Sequence, residues 1–175
     1  MRIALAVPVA LLLLHERYLA ALILFFVAGV SDGLDGYLAK RFNWRSRLGS
    51  VLDPIGDKLL LVATYLALGW TGFIPLWLVV AVLARDIVVL GGALAFHFLI
   101  GRYEMAPSLV SKVNTFAQIV LVLAVVVSLA GAALPEWFIN AIMSVVFVTT
   151  LWSGGDYVWT WGRRAWQARA RSHHE

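Results

Sequence analysis

Four aspartates could do chemistry in this chain: Asp32, Asp35, Asp53 and Asp57. Asp32 and Asp35 are three positions apart, and Asp53 and Asp57 are four apart. On helices each pair would share one face. Two such helices facing each other would set four carboxylates around one pocket. A donor set made only of oxygens suits hard divalent cations such as Mg2+ or Mn2+. The surrounding sequence is apolar, and a carboxylate at membrane depth costs about 2.5–3.5 kcal/mol on insertion scales. Four of them call for a compensating cation. Gly33 and Gly36 interleave the first pair, and Ala39 and Gly49 continue the run of small residues. Small residues at helical spacing also serve close helix packing in membranes. Beside four aspartates they read as a groove that admits a ligand, with Lys40 at its rim as a point charge for phosphate.

The elements that must position these residues are membrane spans. The chain has 175 residues, of which 62% are hydrophobic, and no cysteine. Soluble domains run at roughly 45–50% apolar, so the composition predicts an integral membrane protein with one domain over 1–166 and a polar, fraying tail over 167–175. Disulfides and thiolate metal sites are excluded. Five segments are long enough to cross a bilayer, which takes about 20 apolar residues: Tyr18–Ala39, Gly49–Trp70, Ile74–Ile100, Leu109–Ala132 and Trp137–Trp161. A sixth, Ile3–Leu14, is short, so the first helix of the six-helix bundle is expected to lack its start. Lys40, Arg41, Arg45 and Arg47 share one loop, Arg102 and Lys112 flank another, and Arg163, Arg164, Arg169 and Arg171 lie in the tail. The positive-inside rule then places both termini and the four aspartates on the cytoplasmic side of a bacterial inner membrane or its organellar equivalent. The net charge of +4 reflects these loops and anionic lipid; it does not point to nucleic acid.

The stretch from Asp32 to Asp57 resembles the signature of the CDP-alcohol phosphatidyltransferase family, D-x2-D-G-x2-A-R-x8-G-x3-D-x3-D. Every fixed position matches except 40, where Lys40 stands for the usual Arg and Arg41 follows at once. The resemblance implies a six-span membrane enzyme that takes a CDP-linked lipid and an alcohol and releases CMP. It implies that Asp32, Asp35 and Asp53 hold two divalent metals on the diphosphate. Asp57 would add to the metal set and act as base for the acceptor hydroxyl. Gly33, Gly36, Ala39 and Gly49 would line the cytidine and ribose site, and Lys40 would contact phosphate. It also implies a homodimer. The family usually begins with an amphipathic lead, N-x-x-T-x-x-R, whose arginine Arg2 matches, so the natural start is expected upstream of Met1.

The second half bears on the acceptor. Arg85-Asp86 lies mid-span. It reads either as a self-neutralising pair or, since neighbours on a helix point about 100° apart, as two residues that each need another partner. Ser111-Lys112-Val113-Asn114-Thr115 begins a span, with Gln118 one turn on. Lys112 could simply snorkel, and the polar residues could tie helices together. Arg-Asp followed by S-K-x-N-T-x-x-Q resembles the CMP-forming cardiolipin synthases of that family, whereas related phosphatidylglycerophosphate synthases more often read G-K-x-K-T. That resemblance implies Arg85 and Lys112 as acceptor-phosphate ligands. It favours phosphatidylglycerol as the acceptor beside CDP-diacylglycerol, with glycerol 3-phosphate as the alternative. His97 reads as a packed core residue, and Asp156 as a hydrogen-bonded structural one.

A divalent-cation transporter with an aspartate-lined path is the rival from a different class. Two features weigh against it. The acids cluster at one membrane face rather than along a crossing, and the glycines with an adjacent base suit a nucleotide diphosphate.

Overall fold

The computed structural model describes the backbone of residues 2–41, 49–100, 109–132 and 134–172, and the side chains of 5–31, 58–91, 109–132 and 134–157. Among the described residues there is no strand. Six helices follow one another: α1 (Arg2–Leu14), α2 (Tyr18–Arg41), α3 (Gly49–Trp70), α4 (Leu76–Ile100), α5 (Leu109–Val127) and α6 (Glu136–Ser172). A π-helical segment, Ser128–Ala132, continues α5.

These bounds follow the apolar segments closely, and each departure has a local cause. α4 starts at Leu76 rather than Ile74, because the Pro75 carbonyl accepts the first helical N–H, that of Leu78, at 2.9 Å. Ile74 is buried in the turn instead, with its N–H on the Leu68 carbonyl at 3.2 Å. α6 runs through the polar stretch expected to fray, as far as Ser172 among the described residues. Alanine and arginine, which dominate Arg163–Arg171, are strong helix formers. α1 has 13 residues, in line with the short first segment.

α1 lies against α2 and α3, α5 lies against α2 and α6, and α4 lies against α3 and α6. The shared core takes Val9 and Leu13 from α1, Tyr65 and Leu68 from α3, Leu78 and Val82 from α4, Leu121 and Val125 from α5, and Val146 from α6. The outward faces are apolar as well. Val7, Leu19, Phe26, Leu66, Trp77, Ile87, Phe116 and Trp152 are exposed, so every helix shows large hydrophobic side chains to its surroundings. Among the described residues, Leu109–Ala132 and Glu136–Tyr157 are long and apolar enough to cross a membrane. Leu5–Leu14, Tyr18–Ser31 and Lys58–Trp70 are shorter apolar stretches.

The α3–α4 turn sets how these two helices meet, and glycine is required at two of its positions. Gly72 has φ +80°, the left-handed region that costs other residues roughly 1–2 kcal/mol. Its N–H closes on Gly69 O at 3.2 Å, and Phe73 N–H caps Leu68 O at 3.0 Å. A Cβ on Gly69 would stand 2.8 Å from Val79 Cγ2, so α4 packs against bare backbone there. Gly72→Ala is expected to lower stability by about 1 kcal/mol, measured as a lower unfolding midpoint in detergent. An unchanged midpoint would show that the turn relaxes to another conformation.

Candidate active site

Asp32 and Asp35 lie in α2, and Asp53 and Asp57 in α3. Each pair therefore sits on a helix, as its spacing requires. The side chains of Asp32, Asp35, Ala39, Lys40, Asp53 and Asp57 lie outside the described residues, as do the surroundings of Gly33, Gly36 and Gly49 and the side chain of His97. Among the described residues no group of three or more His, Cys, Asp or Glu could hold a metal. The donor chemistry of the four aspartates fits Mg2+ or Mn2+ and does not suit a soft thiophilic ion.

Next to Asp57 the side chains come into view, and they form one network across four helices. Lys58 on α3 places its Nζ 2.7 Å from Asp86 Oδ1 on α4. Arg85 Nη1 donates to the same oxygen at 2.7 Å. Arg85 Nη2 donates to Ser111 Oγ on α5 at 2.6 Å and to Ser153 Oγ on α6 at 2.6 Å. Its Nε donates to Ser153 Oγ at 3.1 Å. Arg85 is 5% exposed and Ser153 is fully buried. A guanidinium carries five N–H groups, so these contacts leave a single N–H, on Nη1, without a partner among the described residues. Both readings of Arg85-Asp86 therefore hold together. The pair is self-neutralising because the long arginine side chain folds back to its neighbour. Each member also has another partner, serines for Arg85 and Lys58 for Asp86.

Ser111, Asn114 and Gln118 recur at three and four positions, so they line one face of α5. Asn114 and Gln118 are buried. Asn114 Oδ1 accepts from Thr150 Oγ1 at 3.0 Å and lies 2.9 Å from Thr149 Oγ1, which ties α5 to α6. Tyr65 Oη on α3 donates to the Gln118 carbonyl at 3.4 Å. Among the described residues the Nδ2 of Asn114 and the Nε2 of Gln118 have no hydrogen-bond partner. This is the polar glue that the sequence suggested, with two donors left over. Lys112 points away from this seam; it is exposed and makes no ion pair among the described residues. Arg85 and Lys112 are thus neighbours through Ser111, one buried and the other exposed. The Asp156 side chain makes no hydrogen bond among the described residues.

Two residues of the network were not singled out by sequence reasoning. Lys58 had a signal, since a lysine directly after Asp57 and before an apolar run needs a partner. Ser153 had only its place in Ser153-Gly154-Gly155-Asp156. Gly154 lies beside the Arg85 stem, where a Cβ would make an ordinary contact with Arg85 Cγ at 3.8 Å.

Comparison with known proteins adds to this geometry. Residues 1–152 match the sequence profile described as CDP-alcohol phosphatidyltransferase. The chain is 33% identical over 139 residues to a protein of Homo sapiens named cardiolipin synthase (CMP-forming), covering 70% of this chain and 46% of that one. It is 33% identical over 142 residues to the CDP-diacylglycerol–glycerol-3-phosphate 3-phosphatidyltransferase of Bacillus subtilis, covering 80% of this chain and 72% of that one. A cardiolipin synthase (CMP-forming) of Streptomyces coelicolor is 44% identical over 79 residues, or 44% of this chain and 37% of that one. The chain spans about half the length of the human and rat relatives that it matches.

Proposed function

The chain belongs to the CDP-alcohol phosphatidyltransferase family, and from that premise we propose that it transfers the phosphatidyl group of CDP-diacylglycerol to a glycerol-type alcohol and releases CMP. The observation that carries this reading is the match over residues 1–152, which contains all four aspartates at the required spacing. The apolar outer faces of the helices support their reading as membrane spans, since hydrocarbon is the solvent in which such a surface is stable. The resemblance adds a homodimer, and the positive-inside reading of the loops puts the site on the cytoplasmic side.

In the proposed reaction the acceptor hydroxyl oxygen attacks the phosphorus that bears the diacylglycerol. The bond from that phosphorus to the bridging anhydride oxygen breaks, and CMP leaves. Asp57 takes the hydroxyl proton. Asp32, Asp35, Asp53 and Asp57 would hold two Mg2+ or Mn2+ ions. Bound there, the ions would neutralise the diphosphate and the developing charge on the leaving group. Gly33, Gly36, Ala39 and Gly49 leave space for the nucleotide, and Lys40 meets its phosphate.

Phosphatidylglycerol is the preferred acceptor in this reading, giving cardiolipin, on the resemblance of Ser111-Lys112-Val113-Asn114-Thr115. A second reading, glycerol 3-phosphate, is favoured by the Bacillus subtilis relative, of which the chain covers 72%. The experiment is to offer purified protein CDP-diacylglycerol with each acceptor and to identify the lipid product by mass spectrometry. Cardiolipin is expected. Phosphatidylglycerophosphate in its place would establish the second reading, and no CMP with either acceptor would sink the transferase.

Lys112 is the clean probe of acceptor binding. It is exposed, so Lys112→Ala should leave the melting temperature unchanged while raising the KM for the acceptor roughly tenfold, as for a lost charge-assisted contact. The KM for CDP-diacylglycerol should stay put. Equal effects on both substrates would show that Lys112 serves the shared site. Arg85→Ala is a poorer probe, because removing one partner of a buried ion pair destabilises the fold by roughly 3–5 kcal/mol.

A further inference from the structure

Asp86 holds two cations on one oxygen. Lys58 Nζ and Arg85 Nη1 each lie 2.7 Å from Asp86 Oδ1, so the two nitrogens cannot be further apart than twice that distance. Two positive groups this close repel each other, and the single carboxylate offsets only one of them. Among the described residues the cluster keeps one positive charge in excess. Both cations also keep unused donors. Arg85 has one N–H left on Nη1. An ammonium has three donors, and the described ion pair of Lys58 engages only Asp86. The Lys58 side chain is 38% exposed while that of Arg85 is 4% exposed. The pair thus has an open side at Lys58 and an anchored side at Arg85, where Ser111 and Ser153 fix the guanidinium. Lys58 is covalently next to Asp57, so the open side belongs to the same turn of α3 as the proposed base.

We propose that Lys58 and Arg85, clamped side by side by Asp86, form the binding pair for the acceptor's phosphate, and that Asp86 sets the charge this phosphate must carry. The inference rests on the transferase reading above and adds Lys58 as a ligand and Asp86 as a positioning residue. The clamp by itself offers one positive charge, which matches the single negative charge of a phosphodiester, whereas a phosphomonoester dianion needs a further cation beside it. The clamp therefore selects a phosphodiester alcohol, the headgroup of a phospholipid, over a soluble phosphomonoester alcohol. Electrostatic selection of this kind works through the unpaired charge left by the wrong ligand.

Three variants test it, with short-chain phosphatidylglycerol and glycerol 3-phosphate as acceptors. Lys58→Met should raise the acceptor KM about tenfold and leave the KM for CDP-diacylglycerol within about twofold. Lys58→Arg should restore most of the loss. Asp86→Asn adds one positive charge to the cluster, so the ratio of kcat/KM for glycerol 3-phosphate to that for phosphatidylglycerol should rise about tenfold. A purely structural clamp would lower both ratios' terms together and leave the preference where it was; that result overturns the proposal. Binding gives a readout independent of turnover. Short-chain phosphatidylglycerol should raise the melting temperature of the wild-type protein and fail to raise that of Lys58→Met. Equal stabilisation of the two proteins overturns the proposal even if the preparation releases no CMP, an outcome that would separately sink the transferase reading.

Discussion

Asp57→Asn is expected to abolish transfer while the protein still folds and still binds CDP-diacylglycerol. Asparagine keeps the size and one oxygen of aspartate but cannot take a proton at neutral pH. Loss of a positioned base alone costs about 10²–10⁴-fold, and in the proposed site the same carboxylate also helps hold a cation. The measurement pairs CMP release with CDP-diacylglycerol-dependent thermal stabilisation, so that a binding defect is told apart from a chemical one. Turnover at the wild-type rate would show that the base lies elsewhere. Asp57 sits one residue before Lys58, which is tied to α4 through Asp86. The local frame of α3 is thus held by a contact that the substitution does not touch.

The second large effect is metal dependence. Activity should require Mg2+ or Mn2+ and vanish in excess chelator, because the donor set is four carboxylates with neither His nor Cys. Asp32→Ala and Asp53→Ala should each lower kcat/KM by the several kcal/mol expected of a lost phosphate-bound cation, about a thousandfold. Restoration by raised Mg2+ or Mn2+ should be at most partial, since the missing ligand cannot be supplied from solution. Undiminished turnover in chelator would exclude metal assistance and leave the aspartates to be explained by another cation.

Sequence made the helices legible because apolar periodicity and length dominate in a lipid-compatible chain. Gly49–Trp70 emerges with the same ends in the fold, and α1 and α2 differ by a residue or two. The helix bounds depart from the apolar segments where a local hydrogen bond outweighs hydropathy, as at Pro75, or where helix propensity outlasts the apolar run, as in Arg163–Arg171. The aspartate motif was legible because its spacing is short-range and helical. The clamp was not. Whether Lys58 meets Asp86 depends on how α3 and α4 rotate against one another, and that is set by the turn at Gly69–Pro75 and by packing, not by either residue's neighbours. Arg85-Asp86 shows the same limit in another form. The angle between adjacent helix positions is fixed, but the reach of an arginine is not, so neighbours on one helix can still pair. Ser153 had no readable link to Arg85, since the two lie 68 positions apart.

The clamp also bears on the order in which the protein is made. Lys58 is synthesised before Asp86 and Arg85, whereas Ser111 and Ser153 come later. When α4 leaves the ribosome, its carboxylate already has Lys58 waiting on α3, and its guanidinium has that carboxylate beside it. The α3–α4 hairpin therefore already holds its carboxylate and both cations together before α5 and α6 exist, with one positive charge still to be offset. Arg85 then waits, partly paired, to receive two hydroxyls as the later helices dock. In the proposed membrane bundle, the same ion pairs that would shape substrate choice in the finished protein would thus let a charged helix be inserted halfway through its biogenesis.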